Sequence, residues 1–363
     1  MTRVRMGIIG LGNIGVVHAR HLATGFVPGA DLTAIATSKG EAARSLFPAA
    51  AIYPDGASLL SSGKVDAVII ATPHWQHVRL GMAAFERGIH VLMEKPLAAH
   101  KADAERLLAC HALHPELTFA TMLQLRCEPR FQALRDLILA RLGPLVRVNW
   151  IITDWYRTHA YYRSSGWRAT WKGEGGGVLI NQCLHNLDML QWLCGMPLRV
   201  RGFCQMGRFH PIEVEDQVTA YFEWANRATG SMVTSTGEAP GTNRLEIVGT
   251  QATAILEGRR LVCKRNEMDM QTFSQKAKTG FEKPETITTE TLFPEIADLH
   301  AQITANFVKA ILEGQPLIAP ANQGIHSLEL ANAITYSSLL DRTLELPLDG
   351  QAWEKHLLGL FTH

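Results

Sequence analysis

The N-terminal segment of the chain contains the pattern that most constrains its fold. Residues 6–9 form a short apolar run that leads directly into Gly10-x-Gly12-x-x-Gly15. In such a turn the first glycine permits a tight bend, the second lets the backbone approach a phosphate, and the third lets helix and strand pack closely. We expect a helix over residues 14–23 whose N-terminus lies at this turn. A strand, this turn and a helix, in that order, predict a dinucleotide-binding βα unit.

Apolar runs and helical patterns continue to alternate as far as residue 122. We predict strands over residues 32–36, 66–71, 91–93 and 117–122, and helices over residues 78–87 and 98–113. Strands that alternate with helices indicate a doubly wound parallel sheet. The fold class is therefore α/β in this part of the chain, and residues 1–125 are predicted to form a dinucleotide-binding Rossmann domain.

After Pro129 the pattern changes to short strands separated by turn residues. The predicted strands are residues 145–153, 198–206, 214–224, 230–236, 244–248, 252–257 and 260–264, after a helix over 131–141. This pattern favours a large, mostly antiparallel open sheet in an α+β domain. Residues 264–290 are polar and predict an exposed hairpin and loop, and helices are expected over 296–313 and 323–340. Residues 126–363 are predicted to bind substrate and to form oligomers, with the C-terminal helices packing back.

Composition limits the class of partner. The chain has 363 residues, 47% hydrophobic and 19% charged, which is typical of a globular protein of about two domains. Its net charge of +1 gives no general attraction to nucleic acid or to an anionic membrane, so neither is an expected partner. No apolar run reaches about 18 residues, so no membrane span is predicted. Arg3 and Arg5 before an apolar stretch loosely imitate a secretory signal, but the glycine-rich turn argues for a strand instead.

The cysteines favour a reducing compartment. Six are present, at positions 110, 127, 183, 194, 204 and 263, and no two have the C-x-x-C spacing. We therefore expect a cytoplasmic protein without a zinc site or other bound metal.

Charged and polar residues follow two of the predicted strands. Ligands of open parallel sheets bind at the carboxyl ends of the strands. Glu94 and Lys95 come directly after one strand, and Pro96 ends that strand because it has no N–H for the ladder. The loop from Thr72 to His77 follows the neighbouring strand and is expected to line the same cleft. Glu94 and Lys95 could form a solvated surface pair. Alternatively, a lysine at this edge could reach a ligand.

The segment after the second strand bears on the type of dinucleotide. A fold that prefers NAD places an acidic residue there for the ribose 2′-hydroxyl. This chain has Thr37, Ser38 and Lys39 instead, which offer hydroxyls and a cation to a 2′-phosphate. We therefore predict NADP in preference to NAD, although Lys39 could be a solvated residue in a protein that accepts NAD.

A second polar constellation follows three glycines in the C-terminal half. Asn181, His185 and Asp188 have the spacing i, i+4 and i+7, which predicts one face of a helix. Such a stripe faces either a cleft or solvent, and a buried histidine can also be a satisfied core residue. The residues alone leave these alternatives open.

Together these segments resemble the Gfo/Idh/MocA family of sugar and cyclitol oxidoreductases. The matching segments, over residues 4–340, are Gly10-Leu-Gly-Asn-Ile-Gly15, Ala71-Thr-Pro73, Glu94-Lys-Pro96, Gly175-Gly-Gly177 with His185 to Asp188, and Gly249-Thr250 with Ala254-Ile-Leu-Glu257. The resemblance implies a Rossmann domain joined to an open sheet, with a sugar or cyclitol substrate bound between them. It also implies a homodimer or homotetramer formed through the open sheet.

The resemblance implies roles for individual residues. Lys95 would reach substrate and nicotinamide, and His185 would be the acid/base. Many members have Asp where this chain has Asn181, and an amide can neither take a proton nor hold a charge. Asp188 could supply that charge, or Asn181 could only hydrogen-bond a substrate hydroxyl. The loop with Trp167 and Arg168 resembles a sugar-contacting loop of some members, although its aromatic residues could equally be core or interface residues.

The expected reaction transfers a hydride between nicotinamide and a secondary alcohol or ketone of a sugar, anhydrosugar or cyclitol. A histidine starts from a pKa of about 6.5, whereas bringing a lysine from about 10.4 to about 8 costs roughly 3 kcal/mol. We therefore assign His185 as acid/base and Lys95 as the group that polarises the oxygen. A glycosidase acting by transient oxidation and a non-catalytic sugar or nucleotide sensor are the alternatives.

The predicted site comprises three sets of residues. The catalytic residues are Lys95, His185 and Asn181. The cofactor-binding residues are Gly10, Gly12, Asn13, Ile14, Gly15, Thr37, Ser38, Lys39, Thr72, Pro73, His74, His77, Glu94, Lys95 and Gln124. The substrate-binding residues are Lys95, Tyr156, Trp167, Arg168, Asn181, His185 and Asp188.

Overall fold

Two β-sheets organise the chain, which the computed structural model describes over residues 2–164 and 166–362. The first sheet consists of β1 (Val4–Ile9), β2 (Ala30–Ala36), β3 (Ala51–Tyr53), β4 (Ala67–Ile70), β5 (His90–Met93) and β6 (Phe119–Thr121). Its strands lie in the order β3-β2-β1-β4-β5-β6, and every neighbouring pair is parallel. This order is the doubly wound arrangement, and it confirms the predicted fold class.

Helices cover both faces of this sheet. They are α1 (Asn13–Ala23), α2 (Gly40–Leu46), α3 (Gly56–Leu60), α4 (His77–Phe85) and α5 (Lys101–His111). Because both faces are covered, the central strands are apolar throughout, and all four residues of β4 are buried. Met6 and Ile8 pack in the core on one face, and Ile9 and Val68 pack on the other.

The second sheet has nine strands. They are β7 (Leu145–Ile152), β8 (Arg199–Met206), β9 (Glu215–Glu223), β10 (Thr229–Ser235), β11 (Asn243–Gly249), β12 (Ala252–Glu257), β13 (Arg260–Asn266), β14 (Thr286–Leu292) and β15 (Leu344–Glu345). Their order is β14-β13-β12-β11-β7-β10-β9-β8-β15, and the pair β7 and β10 is parallel while the other neighbours are antiparallel. The predicted open, mostly antiparallel sheet is confirmed.

Helices pack against one face of the second sheet. The helices of this half are α6 (Pro129–Leu137), α7 (His159–Arg163), α8 (Leu184–Cys194), α9 (Met270–Lys276), α10 (Leu299–Glu313), α11 (Ala321–Leu339) and α12 (Gly350–Gly359), and a π-helical turn, Ile138–Leu142, extends α6. Leu187 of α8 and Ile334 of α11 share a buried cluster with Val218 of β9.

The outer face of the second sheet is a surface of mixed character. Strand register places Ile151, Val233, Thr219 and Phe203 in one row across β7, β10, β9 and β8. Ile151 is 42% exposed and Phe203 is 53% exposed. We call this row the outer row.

Two late helices connect the sheets. Phe307 and Val308 of α10 are fully buried in the same cluster as Met6 of β1, so the C-terminal half covers one face of the first sheet. The first residues of α11 lie against β6, where a Cβ on Gly324 would lie 2.6 Å from Thr121 Oγ1. Further along α11, the backbone of Ile334 approaches β8 so closely that a Cβ on Gly202 would lie 2.1 Å from its oxygen. The strands of the two sheets fall on either side of the predicted division at residue 125.

Two sequence-based expectations need correction. Helix α8 begins at Leu184, so Asn181 lies in the preceding turn and does not share a helical face with His185 and Asp188. The reason is the close approach of the glycine segment to β9, because a Cβ on Gly177 would lie 2.0 Å from the Glu215 oxygen. The exposed hairpin over 264–290 is present as β13 and β14, but it also contains the unpredicted helix α9.

Several short elements have no clear signal in the sequence. Strand β3 has three residues and α3 has five, which is too short for periodicity to separate them from loops. The C-terminal helix α12 was also not predicted. All six cysteines are free thiols. Among the described residues, none of the helices has the length and apolar character needed to cross a membrane.

Candidate active site

A cavity of about 1130 Å³ lies at the carboxyl edge of the first sheet. One group of wall residues comes from the turns after β1 and β2, and we call it the glycine side: Gly10, Gly12, Asn13, Ile14, Thr37, Ser38 and Lys39. Another group, the lysine side, consists of Lys95, Tyr161, Trp167, Arg168 and Asn181. Thr72, Pro73, His74 and Glu94 also line the cavity. Fifteen of the predicted site residues therefore meet in one cavity.

The glycine side has the shape of a phosphate cradle. A Cβ on Gly10 (φ +99°) would lie 2.5 Å from the Ala71 oxygen, and one on Gly15 would lie 2.0 Å from the Gly10 oxygen. A Cβ on Gly12 would meet no atom within 4 Å, because this glycine borders the open cavity. Helix α1 begins at Asn13, so its N-terminus points at the same space. A pyrophosphate group fits such a turn, since the helix start offers free N–H donors.

The segment after β2 also borders the cavity. Ser38 and Lys39 are exposed, and the Lys39 N–H donates to Thr37 Oγ1 at 3.1 Å. Two charged residues in this part of the wall, Asp55 and Arg79, lie outside the predicted sets. Asp55 follows the three-residue β3 and caps α3 by accepting the Ser58 N–H at 2.8 Å. Only a prediction of β3 could have drawn attention to it.

Glu94 and Lys95 point in different directions, so they are not a solvated pair. Glu94 is 6% exposed, and its Oε1 lies 2.7 Å from His18 Nε2. Burial by itself would raise the pKa of Glu94, but the hydrogen bond and charge of His18 lower it to about 2. Lys95 extends to the cavity, where its Nζ donates to the Asn181 backbone oxygen at 2.9 Å. Burial lowers the pKa of Lys95 from its usual value, while the charges of Glu94 and Glu174 oppose that shift.

His185 adjoins the lysine side but does not line the cavity wall. Its Nε2 lies 3.3 Å from Gln124 Nε2, so the structure brings these two predicted residues together. Burial, followed by the charge of Lys95, lowers the pKa of His185 to about 3. A histidine with this pKa is neutral at pH 7.

His74 is a buried part of the cavity wall. Its Nδ1 donates to the Glu174 backbone oxygen at 3.0 Å, and its exposed fraction is 6%. Burial, followed by the charge of His77, lowers the pKa of His74 to about 3. His74 is therefore held in the neutral form.

We expect acid to destabilise the protein partly through His74. Its folded-state pKa of about 3 lies below the unfolded value of about 6.5, so the stabilisation is complete above pH 6.5 and is lost as the pH falls toward 3. Between pH 7 and pH 5, protonation of this residue in the unfolded state should lower the free energy of unfolding by about 2 kcal/mol. Denaturant unfolding at both pH values should show a smaller loss for His74→Gln than for the wild type. Equal losses would contradict this assignment.

Six predicted site residues do not border the cavity, and two of them are His185 and Gln124, described above. Tyr156 is 49% exposed, and Gly15 lies behind the cradle. His77 is buried between the Pro96 and Thr72 oxygens, at 2.8 Å and 2.9 Å. Asp188 is 1% exposed and faces Arg126, whose Nε and Nη2 donate to its two oxygens at 2.9 Å and 2.6 Å. Asp188 is thus committed to Arg126, and its placement does not support a role in supplying charge to Asn181.

Three further residues of the site lie outside the predicted sets. Glu174 is 2% exposed; one oxygen accepts the Asn181 amide N–H, and the other accepts the Ala169 N–H at 2.7 Å. Its position next to the three glycines was the available signal. The Tyr161 hydroxyl accepts Arg168 Nη1 at 2.7 Å. His300 comes from α10, far away in sequence, and no local pattern marks it.

Several buried polar atoms near this cavity have no protein partner. They are Thr72 Oγ1, Gln124 Oε1, Arg168 Nε and His185 Nδ1. Leaving such groups unpaired costs about 1–3 kcal/mol each, so a site for polar ligand atoms explains them. All four belong to residues predicted from the sequence as cofactor or substrate contacts.

Comparison with known families agrees with this geometry. Residues 4–119 match the oxidoreductase family with an NAD-binding Rossmann fold, and residues 131–255 match the GFO/IDH/MocA C-terminal domain. Inositol 2-dehydrogenase 2 of Paenarthrobacter aurescens (strain TC1) is 27% identical over 356 residues, which cover 94% of this chain and 97% of that protein.

Solved structures show the same architecture. The WlbA dehydrogenase from Bordetella pertussis, in complex with NADH and UDP-GlcNAcA, is 25% identical with a TM-score of 0.80 over 96% of this chain and 100% of that one. Levoglucosan dehydrogenase, in complex with NADH and levoglucosan, shares the fold at 21% identity, with a TM-score of 0.77 over 95% of this chain and 100% of that one. Both halves of the chain match one family in the expected order, and the protein belongs to the Gfo/Idh/MocA family of NAD-binding oxidoreductases.

Proposed function

We propose that the protein is an NAD(P)-dependent oxidoreductase acting on a CH–OH group of a sugar, anhydrosugar or cyclitol. The observation that carries this proposal is the single cavity that contains both the phosphate cradle at Gly10–Gly12 and the Lys95 ammonium. The relatives support the substrate class, since one is an inositol dehydrogenase and another was solved with a nucleotide sugar. Aromatic and polar groups on the lysine side suit such a ligand.

The residues on and next to the lysine side would have different roles in the reaction. Lys95 would donate a hydrogen bond to the reacting oxygen and stabilise negative charge there. His185, neutral and with an unpaired buried Nδ1, would take or give the hydroxyl proton. Trp167 and Arg168 would contact the sugar ring and its hydroxyls, and Asn181 would hold Lys95 through its backbone oxygen. A bound nicotinamide would supply the hydride acceptor or donor.

A substrate screen tests this function. Purified protein would be incubated with NAD or NADP and a panel of sugars, cyclitols and anhydrosugars, and the absorbance of the reduced nicotinamide would be followed. We expect turnover on at least one member of the panel. Tight dinucleotide binding without turnover on any member would contradict the proposal and favour a sensor. Product formation without net reduction of the cofactor would favour a glycosidase that acts by transient oxidation.

We infer that NADP is bound in preference to NAD. Ser38 and Lys39 border the cavity, and Arg79 adds a second cation to the same wall. Asp55, the nearby carboxylate of the wall, is engaged in capping α3. Two cations in the cavity wall, with the Asp55 carboxylate engaged in capping, suit a 2′-phosphate better than a bare ribose hydroxyl.

Ser38→Asp should reverse this preference. A carboxylate at position 38 would repel a 2′-phosphate and could accept the ribose hydroxyl, so the ratio of kcat/KM for NADP over NAD should fall by roughly tenfold to a hundredfold. Ser45→Asp is the matched control, because it adds the same charge on the exposed side of α2 outside the cavity wall. A wild type that already prefers NAD would contradict the inference.

We also propose that a second copy of the chain covers the outer face of the second sheet, giving a homodimer or homotetramer. The outer row supports this proposal because it exposes Ile151 and Phe203 on a broad, open sheet. Arg201 lies over the Phe203 ring at 4.7 Å, which adds a cation at the edge of the patch.

Phe203→Glu should lower the oligomeric state. Burying a carboxylate against a second apolar surface is unfavourable, so light scattering should show a smaller molar mass than the wild type at equal concentration. The control is Phe281→Glu, because Phe281 is 96% exposed and lies outside this face. A wild type with the mass of one chain would contradict the proposal.

We further infer a cytoplasmic location. All six cysteines are free, and burial raises the pKa of Cys183 and Cys194 to about 12, which keeps these thiols protonated and unreactive. Free thiols of this kind are typical of a reducing compartment.

A further inference from the structure

Glu174 is a buried acid without a cationic hydrogen-bond partner among the described residues. Its two oxygens accept from an uncharged amide, Asn181 Nδ2, and from the Ala169 backbone N–H. Its own backbone oxygen accepts from His74. Because Ala169 and His74 hold the segment, the carboxylate cannot swing out toward solvent without losing these contacts. A buried carboxylate of this kind is costly unless its charge is used by a nearby cation.

The nearest functional cation is reached through one residue. The Asn181 backbone oxygen accepts a hydrogen bond from the Lys95 ammonium at 2.9 Å, and the Asn181 side-chain amide donates to Glu174. Since a carboxylate only accepts, Glu174 fixes the orientation of the Asn181 amide, with Nδ2 toward the acid. Glu174, Asn181 and Lys95 therefore form one connected chain of hydrogen bonds, which we call the Glu174 chain.

Charges of both signs surround Lys95. The groups that act on it or that feel its charge are Glu94, Glu174, Arg157, Arg168, His74, His77, His185 and His300. Arg157 and Arg168, like burial, favour loss of the lysine proton. Of the two carboxylates, Glu94 already has His18 at 2.7 Å. Glu174 is the carboxylate whose charge is not matched by an ion pair.

We propose that Glu174 is a positioning residue that keeps Lys95 protonated through the Glu174 chain. This inference rests on the proposed function, in which Lys95 acts as an ammonium toward the reacting oxygen. A positively charged nicotinamide beside Lys95 would add to the repulsion from the arginines, so the enzyme needs a negative group that does not itself touch the substrate. Glu174 meets that need because Asn181 stands between it and the cavity.

The first test measures the protonation of Lys95 directly and needs no substrate. Trace labelling of the intact protein with acetic anhydride at a series of pH values, read by mass spectrometry, gives the pH at which Lys95 is half-reactive. In Glu174→Gln this half-point should fall by about 1 pH unit relative to wild type. Glu213→Gln is the control, because Glu213 also accepts a single backbone N–H, from Trp171, but is exposed and lies outside the Glu174 chain. An unchanged half-point in Glu174→Gln, or an equal shift in the control, would overturn the proposal.

The second test exchanges the acid and the amide. Asn181→Asp alone places two carboxylates in contact, which must then share a proton. The double variant Glu174→Gln with Asn181→Asp keeps one carboxylate, one amide and one hydrogen bond between them, with donor and acceptor exchanged. Its half-point should return to the wild-type value or above, because the charge is now closer to Lys95. A half-point that stays as low as in Glu174→Gln would overturn the proposal, and this variant also serves if Glu174→Gln alone fails to fold.

Kinetics separate this inference from the proposed function. On a substrate found in the screen, the part of the kcat/KM pH profile that reports Lys95 should move down by about 1 pH unit in Glu174→Gln and return in the double variant, while binding of the preferred dinucleotide stays constant. A merely structural role for Glu174 would change the melting temperature without moving that part of the profile. If the wild type turns over no substrate, the proposed function fails while the labelling result still decides the role of Glu174.

Discussion

Lys95→Met should lower kcat/KM by about 10²–10⁴ while leaving the dissociation constant of the dinucleotide nearly unchanged. The ammonium donates one hydrogen bond to a protein atom, the Asn181 oxygen, and this leaves N–H groups free for a ligand. Methionine keeps most of the side-chain volume and removes only the charge and the donors. The loss should therefore appear mainly in kcat, because the oxygen gains negative charge only as the reaction proceeds.

Lys172→Met is the matched control for this prediction. Lys172 is exposed, lies in the same loop region as Trp171 and does not border the cavity. Its replacement removes the same charge and should leave kcat/KM within about twofold, in keeping with the small effects of exposed charges. A Lys95→Met enzyme with near wild-type turnover on its best substrate would remove Lys95 from the mechanism.

Arg126→Met should lower the free energy of unfolding by about 3–5 kcal/mol. Arg126 and Asp188 have exposed side-chain fractions of 0% and 1%, and the guanidinium binds both carboxylate oxygens. Removing the arginine leaves a buried carboxylate whose remaining side-chain partner is the Gln191 amide at 2.8 Å. Because a buried unpaired charge is far less stable than the same charge in water, the folded state carries the whole penalty.

Arg244→Met provides the comparison for a solvated ion pair. Arg244 donates to Glu257 at 3.1 Å, but the two side chains are 40% and 53% exposed. Its loss should cost no more than about 1 kcal/mol in denaturant unfolding. If Arg126→Met lowered the free energy of unfolding by as little as Arg244→Met, the prediction that the buried Arg126–Asp188 pair matters for stability would be contradicted. Arg126→Met should also reduce activity, since the same turn carries Gln124, the partner of His185.

The parts of the fold that local sequence determines could be predicted. The turn at Gly10 and Gly15 requires glycine because each added Cβ would overlap a backbone atom, and that requirement is visible in the sequence itself. The fully buried β4 produces a continuous apolar run, and its carboxyl end indicates where the loop from Thr72 must lie. Lys95 was placed at the cavity by the same reasoning.

The remaining features depend on contacts between distant segments. Asn181 has helical spacing to His185, yet the approach of the glycine segment to β9 delays the start of α8 until Leu184. Asp188 looked available for chemistry because its partner, Arg126, is separated from it by 62 residues. His300 reaches the cavity only because α10 packs on the first sheet. No periodicity or local propensity records such contacts.

Helix α11 gives the molecule a rigid connection between its two halves. At about 1.5 Å per residue its 19 residues span roughly 28 Å, and it contacts β6 near one end and β8 near the other. The glycine side of the cavity belongs to the first half and most of the lysine side to the second. Because α11 is a helix of fixed length that contacts both halves, it sets the distance between the glycine side and the lysine side before any ligand binds. Little binding energy is then needed to bring the two sides into register, which leaves more of it for the reaction itself.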